Sequence, residues 1–327
     1  MRPAGALSQR LSGYVRITIK RTMDVNQIKA LKGVVAIGGG HGLGRLLSSL
    51  SFLENKLYGI VATTDNGGSS GRLRNETDCI AWGDLRNCLS QLTPSGDIKK
   101  LLFEYRFEDA GNLSGHSLGN LMLLALDGMC VRPLDTLNLF REFLGVKSHI
   151  LPMTETSAHI YACYNDGHVW GEVGIDTHDQ VPESLGLTPR VSAPQEAVDA
   201  INNAELILLG PGSFFTSLIA PLLVSEIRDA IVRSTAKKIY IANMVVEEGP
   251  AGLMSLDSTL QWIHKVAGQD IVNAVIWPSS RELIVKPKKQ INIVDLTCQE
   301  HERLHDQVKL AIGIEDTYTK LIRNTTQ

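Results

Sequence analysis

Directly after an apolar run at residues 34–37, the segment Gly38-Gly39-Gly40-His41-Gly42-Leu43-Gly44 packs five glycines into seven positions. Glycines let a main chain approach an anion closely, and a helix that opens at such a turn adds free N–H groups and the positive end of its dipole. The segment is not a Walker loop, for it lacks Gly-Lys-Ser/Thr. Nor is it a clear dinucleotide fingerprint: the acid expected about 20 residues on is missing, and Asp65 lies too far along. Phosphate binding by Gly38, Gly39, Gly40, His41 and Gly42 is the chemistry this pattern suits, and a tight turn without ligand is the structural alternative.

A second loop, Asp65-Asn66-Gly67-Gly68-Ser69-Ser70-Gly71-Arg72-Leu73-Arg74, joins a carboxylate, hydroxyls, glycines and guanidinium groups. Asp65 suits a divalent cation, Ser69 and Ser70 suit phosphate oxygens, and Arg72 suits charge neutralisation. Gly83-Asp84-Leu85-Arg86-Asn87 is expected to begin a helix with Asp84 at its N-cap, which alone accounts for the acid, although Asp84 is also a candidate metal ligand. Arg86 and Asn87 would then face a ligand from the first turn. His116 precedes an apolar helix that Ser117 can cap, with Asn120 one turn on. It reads either as a ligand contact or as a structural hydrogen-bond partner. Gly210-Pro211-Gly212-Ser213-Phe214-Phe215-Thr216-Ser217 forms a third strand-to-helix turn. There Ser213 and Thr216 suit an anion, and a rigid turn packed by Phe214 and Phe215 is the alternative.

These loops need elements to hold them. Strands are expected at 34–37, 58–64, 205–209, 238–242 and 274–277, with helical patterns at 43–53, 84–92, 98–105, 117–129, 134–144 and after the third loop as far as 231. Residues 160–164 and 168–173 flank Asn165-Asp166-Gly167 and read as a β-hairpin. The alternation predicts an α/β, Rossmann-like, doubly wound and mainly parallel sheet, with a small antiparallel insertion near 149–180 and ligand binding beyond the strands' carboxyl ends. Residues 31–327 read as one domain behind an N-terminal extension, 1–30.

The chain has 327 residues, 43% of them apolar, and its 32 basic and 35 acidic side chains leave a formal charge of −3. That balance gives no global field for nucleic acid or an anionic membrane. Five cysteines without a CxxC pair argue against a disulfide framework or a zinc ribbon and for a reducing, cytoplasmic setting. No apolar run reaches the roughly 18 residues of a membrane span. Residues 1–22 carry Arg2, Arg10, Arg16, Lys20 and Arg21 ahead of the first acid, Asp24. A loose extension, with Met23 as an alternative start, is preferred to a targeting peptide.

Together, and in this order, the glycine-rich segments at 38–44, 65–74, 83–87, 115–121 and 210–217 resemble the YvcK/CofD-like family of proposed gluconeogenesis factors. The His41 form of the first loop and Thr64-Asp65-Asn66 are most similar to its YbhK subgroup. The resemblance spans about residues 34–277. It implies a nucleotide site over the sheet, binding of uridine-diphosphate sugars, and a part in cell shape during growth on gluconeogenic carbon sources. The CofD enzymes transfer phospholactate from a guanylated donor to a deazaflavin alcohol, using magnesium, and they resemble this chain at the first loop, Asp65, Gly83-Asp84, Leu151-Pro152-Met153 and Gly210-Pro211. Asn66 stands where the wider family tends to a second acid, which removes one ligand for Mg2+. The preferred expectation is therefore a nucleotide-sugar-binding regulator read by a protein partner, with a homodimer supported by exposed apolar surface. Magnesium-dependent transfer is the alternative, and an NAD-type dehydrogenase the weakest reading.

Overall fold

The computed structural model describes residues 25–283, 289–299 and 301–324. Met23 and the basic leader lie outside them. Ten strands are found among the described residues: β1 Val34–Gly38, β2 Leu57–Val61, β3 His149–Pro152, β4 His159–Tyr164, β5 Gly167–Trp170, β6 Ser184–Thr188, β7 Leu206–Leu209, β8 Lys237–Ile241, β9 Ala274–Pro278 and β10 Gln290–Val294. Seven form one sheet in the order β10-β9-β8-β7-β1-β2-β3, and every pairing in it is parallel. Val34, Val35, Ala36 and Ile37 are fully buried, as are all four residues of β7. Continuous apolar runs of this kind belong to central parallel strands covered by helices on both faces.

Chain order and strand order part company at β1. The chain proceeds outward through β2 to β3 and later returns to the other side of β1 as β7, from which β8, β9 and β10 continue. Loops leaving β1 and β7 therefore diverge at a topological switch point, where open α/β sheets form a crevice. The pairings Ile37↔Leu209 and Gly38↔Val61 set the carboxyl ends of β7, β1 and β2 side by side.

The hairpin expectation holds at β4 and β5, which pair antiparallel. A third strand, β6, extends that small sheet in the order β5-β4-β6. Two details differ from expectation. His149–Pro152 pairs with β2 and so belongs to the main sheet, and residues 171–173, expected to prolong the second hairpin strand, open the helix Gly171–Asp176. Residues 26–30, read from sequence as extension, form the helix Asn26–Ala30. Its Gln27 and Ile28 N–H groups donate to the Glu315 carboxylate at 2.8 and 2.9 Å, and Ile28 is fully buried.

Shortening one side chain in the central strand tests this account of the core. Ile37→Ala is expected to lower unfolding free energy by about 2–5 kcal/mol, read from the shift in a urea midpoint, because it removes buried methylenes and leaves a cavity.

Candidate functional site

The first loop opens the helix Gly40–Ser49, the second opens the helix Gly68–Glu76, and the third enters a π-helical turn at Phe214–Ile219. They follow β1, β2 and β7, which are adjacent strands. Two glycines of the first loop are fixed by close approach. A Cβ on Gly39 would stand 2.6 Å from Asp84 Oδ2 and 2.8 Å from Ser217 Oγ, and one on Gly42 would stand 2.9 Å from the Pro211 carbonyl. The first loop thus touches both the third loop and the helix Trp82–Leu92. Ser70 completes the junction, since a Cβ on Gly83 would fall 2.3 Å from its Oγ and 3.4 Å from Asp65 Oδ2.

Asp84 departs from its expected place. The helix starts two residues earlier, with Ala81 at the N-cap, so Asp84 lies inside the first turn. Its carboxylate is buried and accepts the Gly40 N–H, while burial and the nearby charge of Asp65 raise its pKa well above the carboxylate range. A tertiary bond replaces the local cap.

Three further acids stand close by. Burial and the charges of Asp84, Asp65 and Asp176 push Glu172 up, and burial also raises Asp176, against the opposing effect of hydrogen bonds from Ser213 and Thr216. Burial brings Glu247 to about 7. None of Asp65, Asp84, Glu172, Asp176 and Glu247 forms an ion pair among the described residues. Sequence reading passed over Glu172, Asp176 and Glu247. Only Glu247, shortly beyond the carboxyl end of β8, had a signal that could have found it.

A cationic group lies on the other side of the same helix. Arg86 is buried; among the described residues it forms no ion pair, its guanidinium reaches Asn87 Oδ1, and its Nε has no hydrogen-bond partner. Burial, then the Arg106 charge, lowers its pKa, and burial together with Arg86 and Arg106 lowers that of His41. Arg72 is exposed, with no hydrogen bond or ion pair among the described residues, and its Nη2 would lie 3.2 Å from a Cβ on Gly115. His116 meets Ser69, with Nδ1 2.8 Å from the hydroxyl, and Asn120 Nδ2 donates to the same oxygen at 3.1 Å. Burial and Arg72 lower the His116 pKa, which favours a neutral ring able to accept from Ser69. Ser117 caps the helix Leu118–Asp127 by accepting from the Asn120 N–H, as the sequence suggested.

The other candidates are held by protein contacts. Asp65 Oδ1 accepts the Gly67 N–H at 2.7 Å, and Asn66 Oδ1 accepts the Val173 N–H at 3.1 Å. Arg74 clamps the second loop through the carbonyls of Thr64, Asp65 and Ala158. At the third loop, Ser213 and Thr216 donate to Asp176, the Gly212 N–H to Asn243 and the Phe214 N–H to Glu247. A cleft of about 430 Å³ opens beside it, bordered by Asp176, Ser213, Asn243 and Glu247. Among the described residues no three His, Cys, Asp or Glu side chains stand around one cation position. Asp65 and Asp84 nevertheless fit Mg2+ in the manner usual for that ion, which takes one or two carboxylates and completes its shell with substrate phosphates and water.

The family model described as 2-phospho-L-lactate transferase CofD matches residues 34–312. The chain belongs to the CofD family. Among its relatives is a protein of Pasteurella multocida named "Putative gluconeogenesis factor", 46% identical over 93% of this chain and 99% of its own length. A Thermotoga maritima protein of the same name is 32% identical, with 86% and 98% covered. A solved Bacillus halodurans structure of the UPF0052 family is 31% identical, covers 86% of this chain and 98% of its own, and superposes with a TM-score of 0.81. No helix among the described residues of this CofD-family protein is long and apolar enough to cross a membrane.

The acids make stability depend on pH with a definite sign. A carboxyl group whose folded pKa is raised contributes stability that is complete below its unfolded value, about 4, and lost as pH rises through the folded value. For Glu247 that window closes at about 7. Glu172→Gln should therefore raise the thermal midpoint at pH 8 and leave it nearly unchanged at pH 4, as measured by scanning calorimetry.

Proposed function

We propose that this protein binds a nucleotide-sugar, of the uridine-diphosphate class, across the loops that follow β7, β1 and β2, and acts as a cytoplasmic regulator in gluconeogenic metabolism. The observation that carries the reading is Arg86, a buried guanidinium that forms no ion pair among the described residues, on the helix Trp82–Leu92 and near enough to His41 of the first loop to lower its pKa. Leaving such a charge uncompensated is costly unless a ligand answers it. A diphosphate suits the position: Arg86 and Arg72 offer charge-assisted hydrogen bonds, and the first two loops contribute main-chain and hydroxyl donors. The relatives' name supports the gluconeogenic setting, and the resemblance to the YvcK/CofD-like group extends it to cell shape under gluconeogenic growth.

A second reading is favoured by the acids. Asp65 Oδ2 lies beside Gly83, the residue before Asp84, and the two acids would hold Mg2+ beside the phosphates, as in the phospholactate transfer for which the family is named. When bound, the ion supplies neutralisation of phosphate charge. Arg86 and Arg72 would orient the diphosphate, and the Ser69–His116 pair would stand near an incoming hydroxyl. Under the binding reading, the same acids adjust affinity through the cation.

Calorimetry with uridine- and guanosine-diphosphate sugars, with and without Mg2+, tests the first reading. Saturable binding is expected, with Arg86→Ala weaker by about 30-fold or more, corresponding to loss of a charged hydrogen-bond partner worth about 2 kcal/mol. Heats no larger than dilution for every member of the panel, on folded protein, would sink it. Incubation with guanylated phospholactate, a deazaflavin alcohol and Mg2+ separates the readings: product that disappears in Asp65→Ala supports transfer.

A further inference from the structure

The small antiparallel sheet ends in a free edge. Strand β6 pairs with β4 on one side, and no described strand pairs with its other side. A groove of about 420 Å³ runs along β6, toward the helices Ser225–Arg233 and Leu256–Ala267. Half-buried Leu185 and Leu187 line it from the strand. Both are paired with buried residues, Ala162 and Ile160, so they lie on the inner face of their sheet. Opposite stand Leu223 and Trp262, and a second cleft of about 350 Å³ shares Trp262 and Lys265 with the first.

The charged side chains lining the groove are all cations: Arg190, Arg228 and Lys265. Arg190 is exposed and makes no hydrogen bond or ion pair among the described residues. Arg228 meets its neighbour Asp229 through Nε at 3.0 Å. Lys265 lies 5.0 Å above the Trp262 ring and donates to the Glu183 carbonyl, where β6 begins.

The geometry points to a peptide-docking edge: β6 adds an extended, acidic segment of a protein partner as a fourth strand. An unpaired edge offers the backbone hydrogen bonds, and the side chains at every second position enter the groove, apolar ones against Leu185, Leu187 and Trp262 and acidic ones against Arg190, Arg228 and Lys265. A second copy of this chain fits less well. Two-fold pairing of β6 with itself would bring Arg190 and Lys265 against the same residues of the copy, and like charges across an interface oppose association. Nothing in this inference depends on what the strand-end loops bind.

The probe is a short fluorescein-labelled peptide with Val and Glu in turn at every second position and Thr between them, so that both face the groove, titrated with the full chain and followed by anisotropy. Saturable binding is expected, weakening as salt rises and falling at least about tenfold in Arg190→Gln with Lys265→Gln, whose melting curve reports intact folding. A Lys-for-Glu peptide, and one N-methylated at alternate amides, should not bind. Equal binding by the N-methylated peptide would reduce the contact to charge alone and overturn strand addition. Absence of binding by the Glu/Val peptide would leave Arg190 and Lys265 as guards against edge-to-edge association. A concentration-dependent dimer in sedimentation, dissociated by Arg190→Glu, would give the edge to a second copy.

Discussion

Asp84 and Arg86 lie two residues apart on one helix, and that spacing keeps them from pairing. Side chains at i and i+2 leave a helix in different directions, so the acid meets Gly39 and Gly40 while the arginine side chain lies beside Gly119, close enough to lower the His41 pKa. Around each, like charges accumulate. Beyond burial, Asp65 raises the pKa values of Asp84, Glu172 and Asp176, and Asp84 and Asp176 raise that of Glu172, while Arg106 lowers those of Arg86 and His41. The folded chain therefore holds an acidic half and a basic half beside each other at the strand ends without letting them neutralise. In a medium of low dielectric, unlike charges kept apart in this way are costly to the free protein and favourable to a ligand that satisfies both. A diphosphate accompanied by a cation has that distribution of charge.

The glycines that announce this region serve more than one master. Gly39 leaves room for a carboxylate and Gly42 for the Pro211 carbonyl, so part of the glycine signal records the packing of three protein segments. At the third loop, the main-chain donors of Gly212 and Phe214 and the hydroxyls of Ser213 and Thr216 already have partners. Donors still open to an anion lie at Arg86 and Arg72, beside the second loop. Thus the third loop acts as the wall that sets the first loop's position, and phosphate recognition moves toward the helix Trp82–Leu92.

Much of the scaffold was legible because short apolar runs alternating with helical patterns behave as buried parallel strands whatever their partners. That logic found β1, β2, β7, β8 and β9. It passed over β3, only four residues long and ending in Pro152, and β10, whose Gln290 and Asn292 interrupt the apolar pattern. The start of the Trp82–Leu92 helix was misjudged for a different reason. Asp is a strong N-cap by local preference, but here the Gly40 N–H, distant in sequence, claims the carboxylate. Glu172 and Asp176 were illegible: their helix follows a hairpin strand that ends sooner than its pattern suggests, and only tertiary placement brings them to the other acids.

That same helix explains why the antiparallel insertion belongs with the site. Its Val173 N–H binds Asn66 of the second loop, and its Asp176 receives the hydroxyls of Ser213 and Thr216 from the third. Asn66 is suited to this task by being neutral. A carboxylate there would add another negative charge to a group of acids that forms no ion pair among the described residues, whereas an amide oxygen accepts the Val173 N–H without that penalty. Asn66 is thus a point at which the insertion closes against the second loop. One end of the small sheet is fixed to the crevice by these bonds, and the other edge, β6, is left free for a partner strand.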